Sequence, residues 1–322
     1  MQSPSKWFLI HNPIIYQGWN KQKNYFEGWY YKTVDKDNQL AFSFIPGISK
    51  DKNGDAHAFI QFIDGVKNTS EYYSFKADQF IADNKTLDIN VAGNYFSLNQ
   101  FKVDLADIKA ELTITKPNLL KGNLLSPGIM GWYAYMPFMQ CYHGLVSMHH
   151  TVSGTLTLGG TEYQLENAKG YIEKDWGTSF PKAWIWNQCN SFQKENDLSV
   201  FASVAHIPWL GSHFIGFIAA IYWKGKIEVF ATYNRSKNIT KLNDNSVELI
   251  YSKGKKRLEI TATKAPGADL ISPISGEMRG KVNESLQANV VLKYYQGKNL
   301  ILSDKGGFAG LELGGEVDEL VG

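Results

Sequence analysis

The chain has 322 residues, a formal net charge of +2, 29 Gly, and an aromatic complement of nine Trp, seventeen Tyr and eighteen Phe. That length predicts two domains, and that composition predicts a turn-rich β protein. Near-neutral charge without a Lys/Arg run among the aromatics excludes a nucleic-acid footprint, and two cysteines, Cys141 and Cys189, are too few for a disulfide framework or a thiolate metal site.

The opening MQSPSKWFLIHNP has no apolar core of signal-peptide length, and the most apolar stretch, Phe214 to Trp223, is short of a membrane span. The expected location is therefore cytoplasmic. From Tyr25 the chain reads as short strands, FEGWYYKTV, QLAFSFIPGI, AHAFIQFI and EYYSFKA, divided by polar turns, the spacing of a sandwich or barrel meander. Asp78 to Asp83 and Phe101 to Ala110 read as short helical turns. Pro117 to Met148, rich in Pro, Gly and bulky apolar residues without a period, reads as a long ordered loop, either a lid on an apolar cavity or a cover for a barrel end. Gly159-Gly160 predicts a tight hairpin within Gly154 to Leu165, and further hairpins are expected at Lys224-Gly225, Lys253-Gly254 and Gln296-Gly297. QLAFSFIPG from Gln39 is echoed by DLSVFASVAHIPW from Asp197, which suggests an internal duplication. The division is set at residues 1–175 and 176–322.

Chemistry concentrates in GYIEKDWGTSFPKAWIWNQCN, Gly170 to Asn190. Strand alternation places Glu173 and Asp175 on one face, and Trp184, Trp186, Gln188 and Asn190 on another. A second run places Glu27, Trp29 and Tyr31 together, with Gly28, Tyr30 and Lys32 on the reverse face, and the first of these sets is expected to form an aromatic and acidic wall. A carboxyl group in an aromatic pocket has a raised pKa and serves as a general acid, and the rings steady a neighbouring cation. The same parts also suit a pocket that only binds a flat ring. His143, His149 and His150 lack metal-ligand spacing and read as structural, and Asp51 to Ala56 reads as a turn rather than a calcium loop. No metal is expected.

The blocks YFEGWYYK, AFSFIPG and, above all, GYIEKDWG with SFP and WIW resemble the tocopherol cyclase family. The resemblance implies an all-β fold of two lipocalin-like β-barrel or sandwich domains packed side by side with few short helices. It also implies ring closure on a prenylated hydroquinone by alkene protonation, without cofactor or metal. Asp175 or Glu173 would then be the proton donor and Glu27 its rival. Trp29, Tyr31, Trp176, Trp184 and Trp186 would line the pocket, and Gln188 and Asn190 would orient hydroxyls. Two other functions fit the same residues: a non-catalytic carrier of a hydrophobic molecule, and a carotenoid-hydratase-like enzyme in which water captures the cation. The expected partner is a hydrophobic small molecule, with transient membrane contact and no obligate protein partner.

Overall fold

The computed structural model describes residues 3–322, of which strand accounts for 64% and helix for 7%, so the chain is all-β. After a single helical turn and a half, α1 (Lys6–His11), the first sheet is built from β1 (Tyr25–Asp35), β2 (Leu40–Lys50), β3 (Ala56–Asp64), β4 (Thr69–Lys76), β5 (Phe80–Ala82), β6 (Asp88–Val91), β7 (Asn94–Ser97), β8 (Gln100–Leu105), β9 (Ile108–Thr115), β10 (Cys141–Leu158) and β11 (Thr161–Gly177). The second contains β12 (Ala183–Cys189), β13 (Ser199–Trp209), β14 (Ser212–Trp223), β15 (Lys226–Ala231), β16 (Lys237–Asn243), β17 (Ser246–Lys253), β18 (Lys256–Thr263), β19 (Ala268–Ile274), β20 (Glu277–Gln296) and β21 (Asn299–Gly315).

Both sheets follow one plan. In the first, β1 to β4 step outward by hairpins, and the later strands return until β11 pairs with β1, making a nearly closed, barrel-like, lipocalin-like sheet. In the second, β12 to β15 step outward and β21 returns to pair with β12. Sequence alternation explains which strands face water. Along β8 and β9 every second residue is buried, whereas β1 and β2 are buried on both faces and carry aromatic or aliphatic side chains on each.

The chain forms two compact units that are not contiguous in sequence. The first holds the chain up to Ile63, Ser70–Phe180 and the late segment Ile271–Gly280; the second holds Asp64–Thr69, Pro181–Leu270 and Lys281–Gly322. Residue 175, where the sequence reading sets the division, lies inside β11. The late segment is stitched into the first unit by polar contacts: Gln61 Nε2 donates to the Ile271 carbonyl and the Ile271 N–H donates to Gln61 Oε1, both at 2.9 Å. Ser49 Oγ donates to the Gly276 carbonyl at 2.6 Å.

Two local expectations change. Phe101 to Ala110 is a β8–β9 hairpin rather than a helical turn, because Phe101, Val103, Leu105 and Ile108 bury one strand face. The apolar loop ends at residue 140, where β10 begins, and contains a 3-10 turn at Gly131–Tyr135. Asp51 does form a turn, its carboxylate accepting from the N–H groups of Asn53, Gly54 and Asp55. The Gly159-Gly160 hairpin forms with both glycines at positive φ.

Within the core of the first unit sits an ion pair, Glu27–Lys174, with both side chains fully buried. Lys174 Nζ lies 4.5 Å from the Trp29 ring and 4.6 Å from that of Trp176, and it donates to the Ile15 carbonyl at 2.7 Å. Glu27 accepts from the Gln17 N–H, at 3.0 and 2.9 Å to its two oxygens, and from the Tyr25 hydroxyl. Burial raises the Glu27 pKa against the opposing pull of Lys174, and burial lowers that of Lys174 to about 8 against Glu27. Each charge is held by the other and by the strap of residues 14–17. Gly144, opposite Lys174 in β10, makes this possible: a Cβ there would sit 3.0 Å from Lys174 Cγ and 3.1 Å from the Trp176 ring. Gly144→Val is expected to cost about 1–3 kcal/mol by overpacking. A shift in urea midpoint equivalent to under about 0.5 kcal/mol would instead mean that the lysine stem moves aside.

Candidate active site

The register of β1, β11 and β10 sorts the candidate residues. Glu27 pairs with Trp176, and Trp29 with Lys174, on the core face; Gly28 pairs with Asp175, and Tyr30 with Glu173, on the reverse face. Glu27, expected as a rival acid, is therefore the anion of the buried ion pair on the opposite side of the sheet from Glu173 and Asp175. Trp29, Tyr31 and Trp176 go with it into the hydrophobic core. The residues that share a face with the two acids are Phe26, Gly28 and Tyr30, the alternate set of the same strand.

On that face the cluster is completed by a residue the sequence reading set aside. His143 on β10 lies directly opposite Asp175, with Nδ1 3.0 Å from Asp175 Oδ1 and Nε2 3.5 Å from Glu173 Oε2. The Tyr171 hydroxyl donates to Glu173 and fixes its carboxylate. Burial disfavours the charged imidazole, but Asp175 and then Glu173 outweigh it, so the His143 pKa is raised above its ordinary value. Cys141 Sγ reaches to 3.9 Å from Asp175, and burial first, then Asp175, pushes its thiol well up, so it stays protonated. Asp175 is the accessible member, its side chain 28% exposed against 13% for His143 and 6% for Glu173. Its neighbour on β1 is Gly28, over which the side chains of Ile45 and Phe59 pack.

The ligand atoms of His143, Glu173 and Asp175 all lie within 4.8 Å of one another, close enough for a divalent ion to join them. Here both ring nitrogens face carboxylates, so a proton on the imidazole offsets one of the two negative charges. The arrangement holds a proton in contact with an accessible carboxyl oxygen. His150, by contrast, is buried, and burial followed by His149 pushes its pKa down to about 3; its Nδ1 lies 2.9 Å from Ser147 Oγ, a neutral structural role.

In the second unit, Trp184, Trp186 and Gln188 share the face of β12 that points away from its core, since Ala183, Ile185 and Cys189 occupy the other, and Asn190 follows just past the strand's end. Trp184 Nε1 donates to Glu312 Oε2 at 2.7 Å. The two indoles lie against Gly314 and Gly310 of β21, where a Cβ has no room. Glu312 also pairs across β20–β21 with buried Glu284. The sequence reading missed both glutamates; the glycines bracketing Glu312 in GLELGG were the available signal.

Comparison with known proteins fits this fold. The tocopherol cyclase-like family model matches residues 122–315, more than half of the chain. A "probable tocopherol cyclase, chloroplastic" of Oryza sativa subsp. japonica is 24% identical over 196 residues, 58% of this chain and 42% of that protein. The "tocopherol cyclase, chloroplastic" of Zea mays is 37% identical over 62 residues, 19% of this chain and 13% of the maize protein. The matched part thus spans less than half the length of either plant protein. Among solved structures, one described as an AttH from Nitrosomonas europaea aligns with a TM-score of 0.52 at 16% identity, covering 91% of this chain and 93% of that one. Kievitone hydratase from Nectria haematococca aligns with a TM-score of 0.46 at 13% identity, over 99% and 97%. Among the described residues no helix is long and apolar enough to cross a membrane. With its acidic EKDWG strand inside the matched region, the chain belongs to the tocopherol cyclase-like family.

Proposed function

We propose that this chain is a cyclase that closes a chromanol ring on a prenylated hydroquinone, with Asp175 and His143 as its acid. The observation that carries this reading is the imidazole held between two carboxylates, which keeps a proton beside the exposed Asp175 oxygen. The proton shared by His143 and Asp175 passes from Asp175 to the CH carbon of the double bond nearest the aromatic ring. Positive charge develops on the adjacent tertiary carbon, the phenolic oxygen attacks there, and the new C–O bond closes a six-membered ring. The phenolic proton returns to the cluster, so no atom is gained or lost. Glu173, oriented by Tyr171, balances the imidazolium in the resting state. Phe26 and Tyr30 flank Gly28 on the same face of β1 as the two acids, and an aromatic face beside the cation contributes about 0.5–2 kcal/mol.

The test is incubation of purified protein with a short-tailed prenyl hydroquinone under reducing conditions in deuterated water. Chromanol carrying one deuterium, on the ring carbon beside the new C–O bond, is expected. Addition of water to the substrate would instead identify a hydratase, and saturable binding without turnover a carrier.

A further inference from the structure

We propose that the first unit docks on an anionic lipid surface through one apolar patch, formed by α1 and the loop of residues 116–140. The inference is independent of the cyclase reading. α1 turns Leu9 inward and leaves Phe8 exposed and Trp7 61% exposed. In the loop, Leu124 and Leu125 are 69% and 83% exposed. These pieces form a single built surface. Tyr135 Oη lies 3.0 Å from His11 Nε2 and donates to the Leu124 carbonyl, and the Trp7 and Tyr135 ring centroids are 6.2 Å apart. Exposed apolar residues joined in this way mark an interaction site, whereas scattered ones do not.

Charge selects the partner. The chain has no Asp or Glu before Glu27 and none between Glu111 and Glu162, while Lys6, Lys116 and Lys121 are exposed in the two segments that make the patch. Bulky apolar side chains, an interfacial Trp and Tyr, and cations in segments that contain no acid are what a negatively charged headgroup layer accommodates: the apolar groups enter the acyl boundary and the ammonium groups stay among the phosphates. A protein partner would need a rim of both signs, which these segments do not offer.

The full chain should float with vesicles of phosphatidylcholine containing phosphatidylglycerol, bind vesicles of phosphatidylcholine alone more weakly, and lose part of its binding to anionic vesicles at high salt. The Leu124→Ser/Leu125→Ser double variant should partition about tenfold less or weaker while keeping the wild-type melting temperature. Brominated lipid should quench a component of the tryptophan fluorescence that Trp7→Phe lacks, a readout that does not depend on the loop variant folding. Three results would overturn the proposal: wild-type protein that ignores both vesicles, serine variants that bind as wild type does, or light scattering showing that the same leucines pair two copies of the chain and that lipid does not bind.

Discussion

Lys174→Met should destabilise the first unit by about 3–5 kcal/mol, because it strands the Glu27 carboxylate where water cannot reach it. The substitution also removes the cation that Trp29 and Trp176 sandwich and leaves the Ile15 carbonyl without its donor. Glu27→Leu combined with Lys174→Met should recover at least half of that loss, since removing both charges leaves no ion uncompensated. The remainder reflects the Gln17 N–H and the Tyr25 hydroxyl, whose partner is gone. Urea unfolding followed by tryptophan fluorescence measures both variants, with Trp29 and Trp176 as reporters next to the change. A loss below about 1 kcal/mol for the single variant would show that the pair contributes as little as a solvated surface bridge.

Asp175→Asn should lower kcat by about 10²–10⁴ while leaving substrate binding nearly unchanged, as expected when a general acid is lost. His143→Gln should act through Asp175 and therefore carry a signature that a merely structural change lacks. In the wild type, kcat/KM should fall on the alkaline side as pH passes through the raised His143 pKa; in His143→Gln that limb should vanish. Stability follows the same group. The folded state holds the His143 proton more tightly than the unfolded chain does, so it binds more protons in the window above about 6.5. The stabilisation is complete below that value and is lost as pH rises through the folded pKa. A His143→Gln enzyme with the wild-type pH profile would remove the imidazole from the mechanism.

Much of this architecture is legible in the residues themselves. The alternating runs are strands, Gly159-Gly160 is the hairpin, and the echoing segments from Gln39 and Asp197 fall largely on β2 and β13, each the second strand of a sheet whose first four strands step outward in order and whose last strand returns to pair with the first. The pairing of Glu173 with Asp175 also follows from a period of two. What alternation leaves undecided is which face of β1 meets them. Both faces of that strand are buried and aromatic, so composition favoured Glu27, Trp29 and Tyr31, while the register selects Gly28 and Tyr30. His143 was hidden for a sharper reason. Counted back from the Gly159-Gly160 turn along an unbroken ladder, it would face Trp176; irregularities near Ser147, His150 and Gly154 leave a net displacement of one residue and put it opposite Asp175. A one-residue slip exchanges the faces of a strand, and bulges have no dependable signature in a single sequence.

The late segment Ile271–Gly280 has a consequence for how the protein is made. During synthesis the strands of the first sheet emerge early, yet Gln61 and Ser49 find their carbonyl partners only after most of the second unit has left the ribosome. Until then the nascent first unit lacks these polar partners, and making them requires contacts separated by more than half the chain, the kind that fold slowly. The two units are thus interlocked in biogenesis, and a gene cut between them would deliver an N-terminal piece whose finishing segment is encoded on the other fragment.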